Sequence, residues 1–141
     1  MIPTTPLVIV LLVVTFLSGC SSPGYVPNGL HLPASTGGYI DRDSGSEDTF
    51  IAEHWSRDAP NIKDDYALLR ALERAYRAGY KYYGVQEHST VEVRDQYLIT
   101  YEPRYVIRGF KEKSEVTPNN VIIDKIREIE KRRGVSIPDL K

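Results

Sequence analysis

The feature that most constrains this chain is where its charge begins. Residues 1–19 carry no charged side chain, and all 18 Lys+Arg and all 19 Asp+Glu lie beyond Cys20. Within the uncharged start, Leu7 to Leu17 is an apolar run of eleven residues whose only polar member is Thr15. Eleven residues of helix cover about 16 Å, well short of a ~30 Å hydrocarbon core. The run therefore suits the apolar region of a secretory signal better than a spanning helix. Its amino-terminal flank departs from the usual pattern, since the α-amino group is the only positive charge there.

The run ends in Leu17-Ser18-Gly19-Cys20, which resembles the lipobox of bacterial lipoprotein signal peptides. Small residues fit a peptidase cleft before the cut, and the thiol supplies the nucleophile for diacylglyceryl transfer. The resemblance implies that residues 1–19 are removed and that Cys20 becomes an acylated first residue, with membrane lipid as its partner. Ser21 follows where many inner-membrane lipoproteins carry Asp, so the resemblance favours an outer-membrane anchor facing the periplasm. Cys20 is the only cysteine, which excludes an intrachain disulfide framework and multi-cysteine metal centres.

Residues 20–38 hold three prolines, four glycines and no charge, and follow neither a helical nor a strand period. They read as a flexible tether. Residues 39–141 then have the length of one modest domain. A net charge of −1 and a pI near 6.3 exclude a strongly basic nucleic-acid binder.

Thr49 to Trp55 reads as a strand. Asn61 to Ala78 reads as an amphipathic helix, with Leu68, Leu69, Leu72 and Ala75 inward and Arg70, Glu73, Arg74 and Arg77 toward water. Asn61 is its expected cap, Asp64 and Asp65 suit the positive helix end, and Gly79 should stop it. Tyr80–Gln86, Gln96–Tyr101 and Arg104–Phe110 read as further strands, with Pro103 as a turn or edge marker and Thr90–Arg94 as a weaker strand. Thr117-Pro118 has the form of a cap and first residue of a second helix, with Ile122, Ile123, Ile126 and Ile129 on its apolar face and Gly134 at its end. The expected fold is α+β: a small, mainly antiparallel sheet with one helix on a face and a C-terminal helix at the side.

The segment Asp65-Tyr66-Ala67-Leu68-Leu69-Arg70-Ala71-Leu72-Glu73-Arg74-Ala75, followed by Gly79-Tyr80-Lys81-Tyr82-Tyr83, is similar to small proteobacterial lipoproteins of unknown function. Those proteins pair a lipobox with a Phe-containing strand, here Thr49-Phe50. The resemblance covers residues 38–86, about a third of the chain, and ends after Val85. It implies an α+β envelope domain and brings no catalytic residues with it.

Sites of chemistry are sparse. Asp41 to Asp48 holds four carboxylates, but its glycine is fifth rather than sixth and Ala52 stands at position twelve, so a solvated turn is preferred to a calcium loop. His31, His54 and His88 form no metal-ligand pair, and His54 is expected at the sheet surface. No nucleophile elbow or phosphate-cradling glycine motif is present. Lys131-Arg132-Arg133 reads as a solvated helix end. Tyrosine is frequent, ten residues against three Phe. Tyr80, Tyr82, Tyr83, Tyr97 and Tyr101 could form a binding face, while cross-strand aromatic pairing accounts for the same residues. The function expected is a lipid-anchored envelope accessory or binding protein without catalysis, cofactor, metal or nucleic-acid partner. The alternatives are an envelope hydrolase whose site forms only in three dimensions, or a small subunit of an envelope complex.

Overall fold

The structure, a computed structural model, describes residues 25–27, 37–113 and 119–140. Residues 1–24, with Cys20 and the expected signal sequence, lie outside the described residues, as do His31 and Thr117-Pro118. The elements are β1 (Gly38–Arg42), β2 (Thr49–Trp55), α1 (Pro60–Arg77), β3 (Tyr82–Arg94), β4 (Ile99–Phe110) and α2 (Ile122–Arg133). The four strands form one antiparallel sheet in the order β1-β2-β4-β3. β2 and β3 both run antiparallel to β4, so they are parallel to each other and need α1 as a crossover. The α+β architecture is as the sequence leads one to expect.

One sheet face carries α1. Phe50, Ala52 and His54 of β2 share that face with Tyr105 and Ile107 of β4, because Phe50 pairs with Ile107 and Ala52 with Tyr105. Leu68, Leu69, Leu72 and Ala75 close the core from the helix side. α2 adds Ile122, Ile126 and Ile129, all fully buried, and the chain end adds Ile137 and Leu140. The other sheet face is polar at its rim, with Arg42 donating to Glu53 at 2.9 Å and Arg108 to Asp48 at 2.9 Å. An antiparallel sheet tolerates this one-sided covering.

Both helix ends obey local chemistry. Gly79 has φ +95°, its N–H donates to Tyr76, and the Tyr80 N–H reaches back to Ala75. That pair of bonds is a Schellman stop. Gly134, at φ +65°, ends α2, and the Val135 N–H donates to Glu130. At Gly109 an added Cβ would lie 2.6 Å from the Tyr80 ring, which packs edge-on against Phe50.

Several expectations are corrected. α1 starts at Pro60 with Ala59 as its cap, not at Asn61, because Pro60 pre-sets φ for the first turn and holds Ala59 extended at ψ 148°. Asp64 and Asp65 consequently sit past the first turn and serve side-chain partners instead of the helix end. Tyr80–Gln86 and Thr90–Arg94 are parts of one strand, β3, interrupted by a bulge between Val85 and Glu87. The two strands expected around Pro103 are also one, β4. Pro103 is tolerated there because β2 pairing ends at Glu53↔Arg104, which leaves β4 with a free edge. α2 begins at Ile122 with Val121 as its cap.

The polar face of α1 does not simply look at water. Glu73 is buried and takes charge from Arg70 at 3.1 Å and Arg77 at 3.2 Å. Arg74 straps the helix to the sheet, donating to the Ile51 carbonyl at 2.6 Å over the Phe50 ring. His54 is fully buried against Tyr66, not at the sheet surface. Arg132 and Arg133 are likewise not free at a helix end: both bind Asp65, at 2.8 and 2.6 Å, and so join α2 to α1. Burial would raise the Asp65 carboxyl, but these two guanidinium groups outweigh it and hold it below the usual range.

Candidate functional site: a projecting hairpin arm

β3 and β4 are much longer than β1 and β2. Their pairing continues past the last β2 contact at Arg104, from Thr90↔Pro103 out to Arg94↔Ile99. The result is a two-stranded arm that leaves the sheet at the end where β1 begins. Asp95 to Leu98 turn the tip, closed by the Asp95 N–H donating to the Leu98 carbonyl at 2.8 Å.

The root of the arm is fixed by two successive residues of α1. Lys63 forms an ion pair with Glu102 at 2.8 Å, and both side chains are nearly buried. Asp64 accepts a hydrogen bond from the Tyr105 hydroxyl at 2.7 Å and contacts His88 Nε2 with its other oxygen. The His88 ring lies flat on Tyr105, with centroids 4.1 Å apart. Burial, then the bond to Asp64, pushes the Tyr105 phenol well above its usual range.

The bulge makes this cluster possible. Before it, Tyr83 and Val85 share the α1 face, opposite Gly109 and Ile107. Strict alternation would put Glu87 on that face next. The extra residue reverses the parity, so His88 comes to lie beside Tyr105 instead. Nothing in the local sequence marks Gln86 as the inserted residue.

Asp64→Asn tests the clamp. The Asp64 and His88 side chains are 33% and 49% exposed, so global stability should fall by no more than about 1 kcal/mol. Amide exchange across Thr90–Glu102 should accelerate, since the arm loses one of its two root contacts. Unchanged exchange there would show that the cluster does not hold the arm.

The tyrosines expected on one face are divided between two places. Tyr83 is buried, and Tyr80 and Tyr82 are partly buried at the start of β3. Tyr97 and Tyr101 stand at the far end of the arm, 86% and 62% exposed, with Leu98 and Ile99 between them at 56% and 52%. The 13 residues of β3 place Arg94 about 40 Å along the strand from Tyr82. Three of the four Asp41–Asp48 carboxylates are engaged: Asp41 pairs with Arg70, Asp48 with Arg108, and Asp43 accepts from the Gly45 N–H. Among the described residues no group of three His, Cys, Asp or Glu is arranged to hold a metal ion.

A depression of about 230 Å³ lies elsewhere, between the start of β3 and α2, lined by Tyr83, Asn120, Asp124, Lys125 and Glu128 among others. His88 and Asp64 do not line it, so the acid–base pair and the cavity are separate features. No helix of the described residues is long and apolar enough to cross a membrane. In comparisons with family models, with curated proteins and with solved structures, nothing matches this chain.

Proposed function

We propose that this chain is a lipid-anchored envelope protein, held by acyl chains on Cys20 and facing the periplasm, with an accessory or binding role and no catalytic step. The observation that carries the reading is the placing of Leu17-Ser18-Gly19-Cys20 at the end of the uncharged apolar run. The resemblance to small proteobacterial lipoproteins belongs to the same reading, and Ser21 favours the outer membrane. Support for a contact role comes from the arm, which presents large apolar side chains on a root clamped to α1. The reading gives His88 and Asp64 a structural part, as a clamp at the root of the arm, since neither lines the depression beside α2.

Mass spectrometry of the protein purified from membranes tests the anchor. The expected species starts at Cys20 and carries acyl mass there. A chain that retains Met1 with an unmodified thiol would overturn the reading.

A further inference from the structure

Tyr25 to Pro27, within the stretch read as tether, are placed on the domain. The Tyr39 N–H donates to the Val26 carbonyl at 2.9 Å, and Pro27 bridges Tyr39 in parallel. The Tyr25 ring packs on Tyr39 and Tyr66, and its hydroxyl donates to Glu73. Burial, then that carboxylate, pushes the Tyr25 phenol far above its usual range.

This docking limits how far Cys20, on its leash, can lie from the domain. Only residues 21–24 separate Tyr25 from Cys20. Five Cα steps reach at most about 18 Å. Because Pro27 pairs parallel to β1, residues 25–27 run away from the end where β1 begins. Their amino-terminal side therefore faces the end of the sheet from which the arm projects. From Arg104 to Ile99 the arm extends about 17 Å past the β2 pairing, before its turn is added. The amino-terminal side of Tyr25 and the arm thus face the same end of the domain, and the ~18 Å limit on the Tyr25–Cys20 span is comparable to the ~17 Å projection of the arm.

The side chains at the tip suit what such a leash would bring near. Six large hydrophobic residues are exposed among the described residues, and four of them are Tyr97, Leu98, Ile99 and Tyr101. A fifth, Val26, sits where the leash joins the domain. The turn carries one carboxylate, Asp95, which accepts from the Gln96 N–H, and Glu92 and Arg94 beside it pair with each other, so the tip holds no cationic patch and its large side chains are apolar or tyrosine. Tyrosine has an apolar body and a polar hydroxyl, the form favoured at the headgroup level of a bilayer.

We propose that the arm is a second membrane contact: Tyr97, Leu98, Ile99 and Tyr101 enter the interfacial layer of the bilayer that holds the Cys20 acyl chains. The inference rests on the lipid-anchor reading and extends it. An acylated amino terminus already retains the protein, so the arm acts on orientation. It stands the domain on one end and turns the β1–β2 connection, residues 43–48, away from the membrane.

The test uses the full chain, purified from membranes and reconstituted in phosphatidylethanolamine–phosphatidylglycerol vesicles. Leu98→Cys is labelled with an environment-sensitive thiol dye and compared with Ser46→Cys in the β1–β2 connection. Both sites are exposed, and circular dichroism checks that each labelled chain keeps the parent fold. Spin-labelled lipid should quench the dye at position 98 at least twofold more than at position 46, with a blue shift at 98 only. Equal quenching at the two sites, in protein carrying acyl mass on Cys20, overturns the membrane contact while the anchor stands, and leaves the tip to a protein partner. If acyl mass is missing, the anchor reading fails, and the second contact, which is defined by the bilayer that holds those acyl chains, is overturned with it.

Discussion

Leu72→Ala is expected to lower stability by about 2–5 kcal/mol, a large part of the ~5–15 kcal/mol available to a small domain. Leu72 is fully buried between α1 and the sheet, in the same cluster as Leu69, Ile107 and Ile126. Truncation removes three carbons from water-free packing, and the rigid sheet behind cannot collapse to fill the space. Arg74→Ala should fall between this and a surface change. It loses the bond to the Ile51 carbonyl and the packing over Phe50, together about 1–2 kcal/mol. Lys131→Ala, at an exposed residue with no ion pair to lose among those described, should stay within about 0.5 kcal/mol. Urea melts of the three variants read this order through their midpoints, provided the slopes agree. If Arg74→Ala were as silent as Lys131→Ala, the arginine would not be strapping helix to sheet. If Leu72→Ala matched Arg74→Ala, the helix face would be wrongly assigned.

The difference between those two residues marks how far the sequence is legible. Leu68, Leu69, Leu72 and Ala75 announce a buried stripe because helical spacing is a local property, and Gly79 announces its end because only a residue free of Cβ strain takes φ +95° easily. Arg74 and Glu73 lie off that stripe and read as solvated. Their partners outside the helix include the Ile51 carbonyl of β2 for Arg74 and the Tyr25 hydroxyl for Glu73, which no window of sequence around α1 contains. The same holds for Asp64 and Asp65. They look like helix-end charges, yet their partners Tyr105, Arg132 and Arg133 come from distant parts of the chain.

The arm was hidden for two further reasons. A bulge shifts strand parity by one residue, so the alternation of β3 breaks at Gln86 and its two halves read as separate strands. Pro103 reads as a turn because proline cannot sit between two paired neighbours, and only the strand order shows that β4 has one neighbour at that point. The abundance of tyrosine names the candidates but not their places in the fold. Their division into a partly or fully buried group at the base of β3 and an exposed group at the tip follows from the length of the hairpin. A useful signal was present all the same: Tyr97-Leu98-Ile99 places three large side chains together immediately after Asp95-Gln96, where a hairpin turn usually carries small or polar residues.

Cys20→Ser is expected to change location completely rather than by degree. The hydroxyl is too weak a nucleophile for diacylglyceryl transfer, and the lipoprotein peptidase acts after that step, so the precursor should keep residues 1–19. A chain beginning at Ser21 behind an ordinary cleavable signal should instead be released. The arithmetic favours an all-or-none outcome. Each buried methylene contributes about 0.8 kcal/mol, and two or more acyl chains anchor stably where one is marginal. Four side chains seated only in the interfacial layer gain no more than one acyl chain, and a single chain is itself marginal, so they can orient an anchored domain without retaining a free one. Fractionation should therefore find the wild-type protein in the outer membrane, the Cys20→Ser precursor in the inner membrane and the Ser21 chain in the soluble periplasm. A Ser21 chain that still pellets with membranes would show that the folded domain binds the envelope strongly by itself, and would move the anchoring role from Cys20 to the arm.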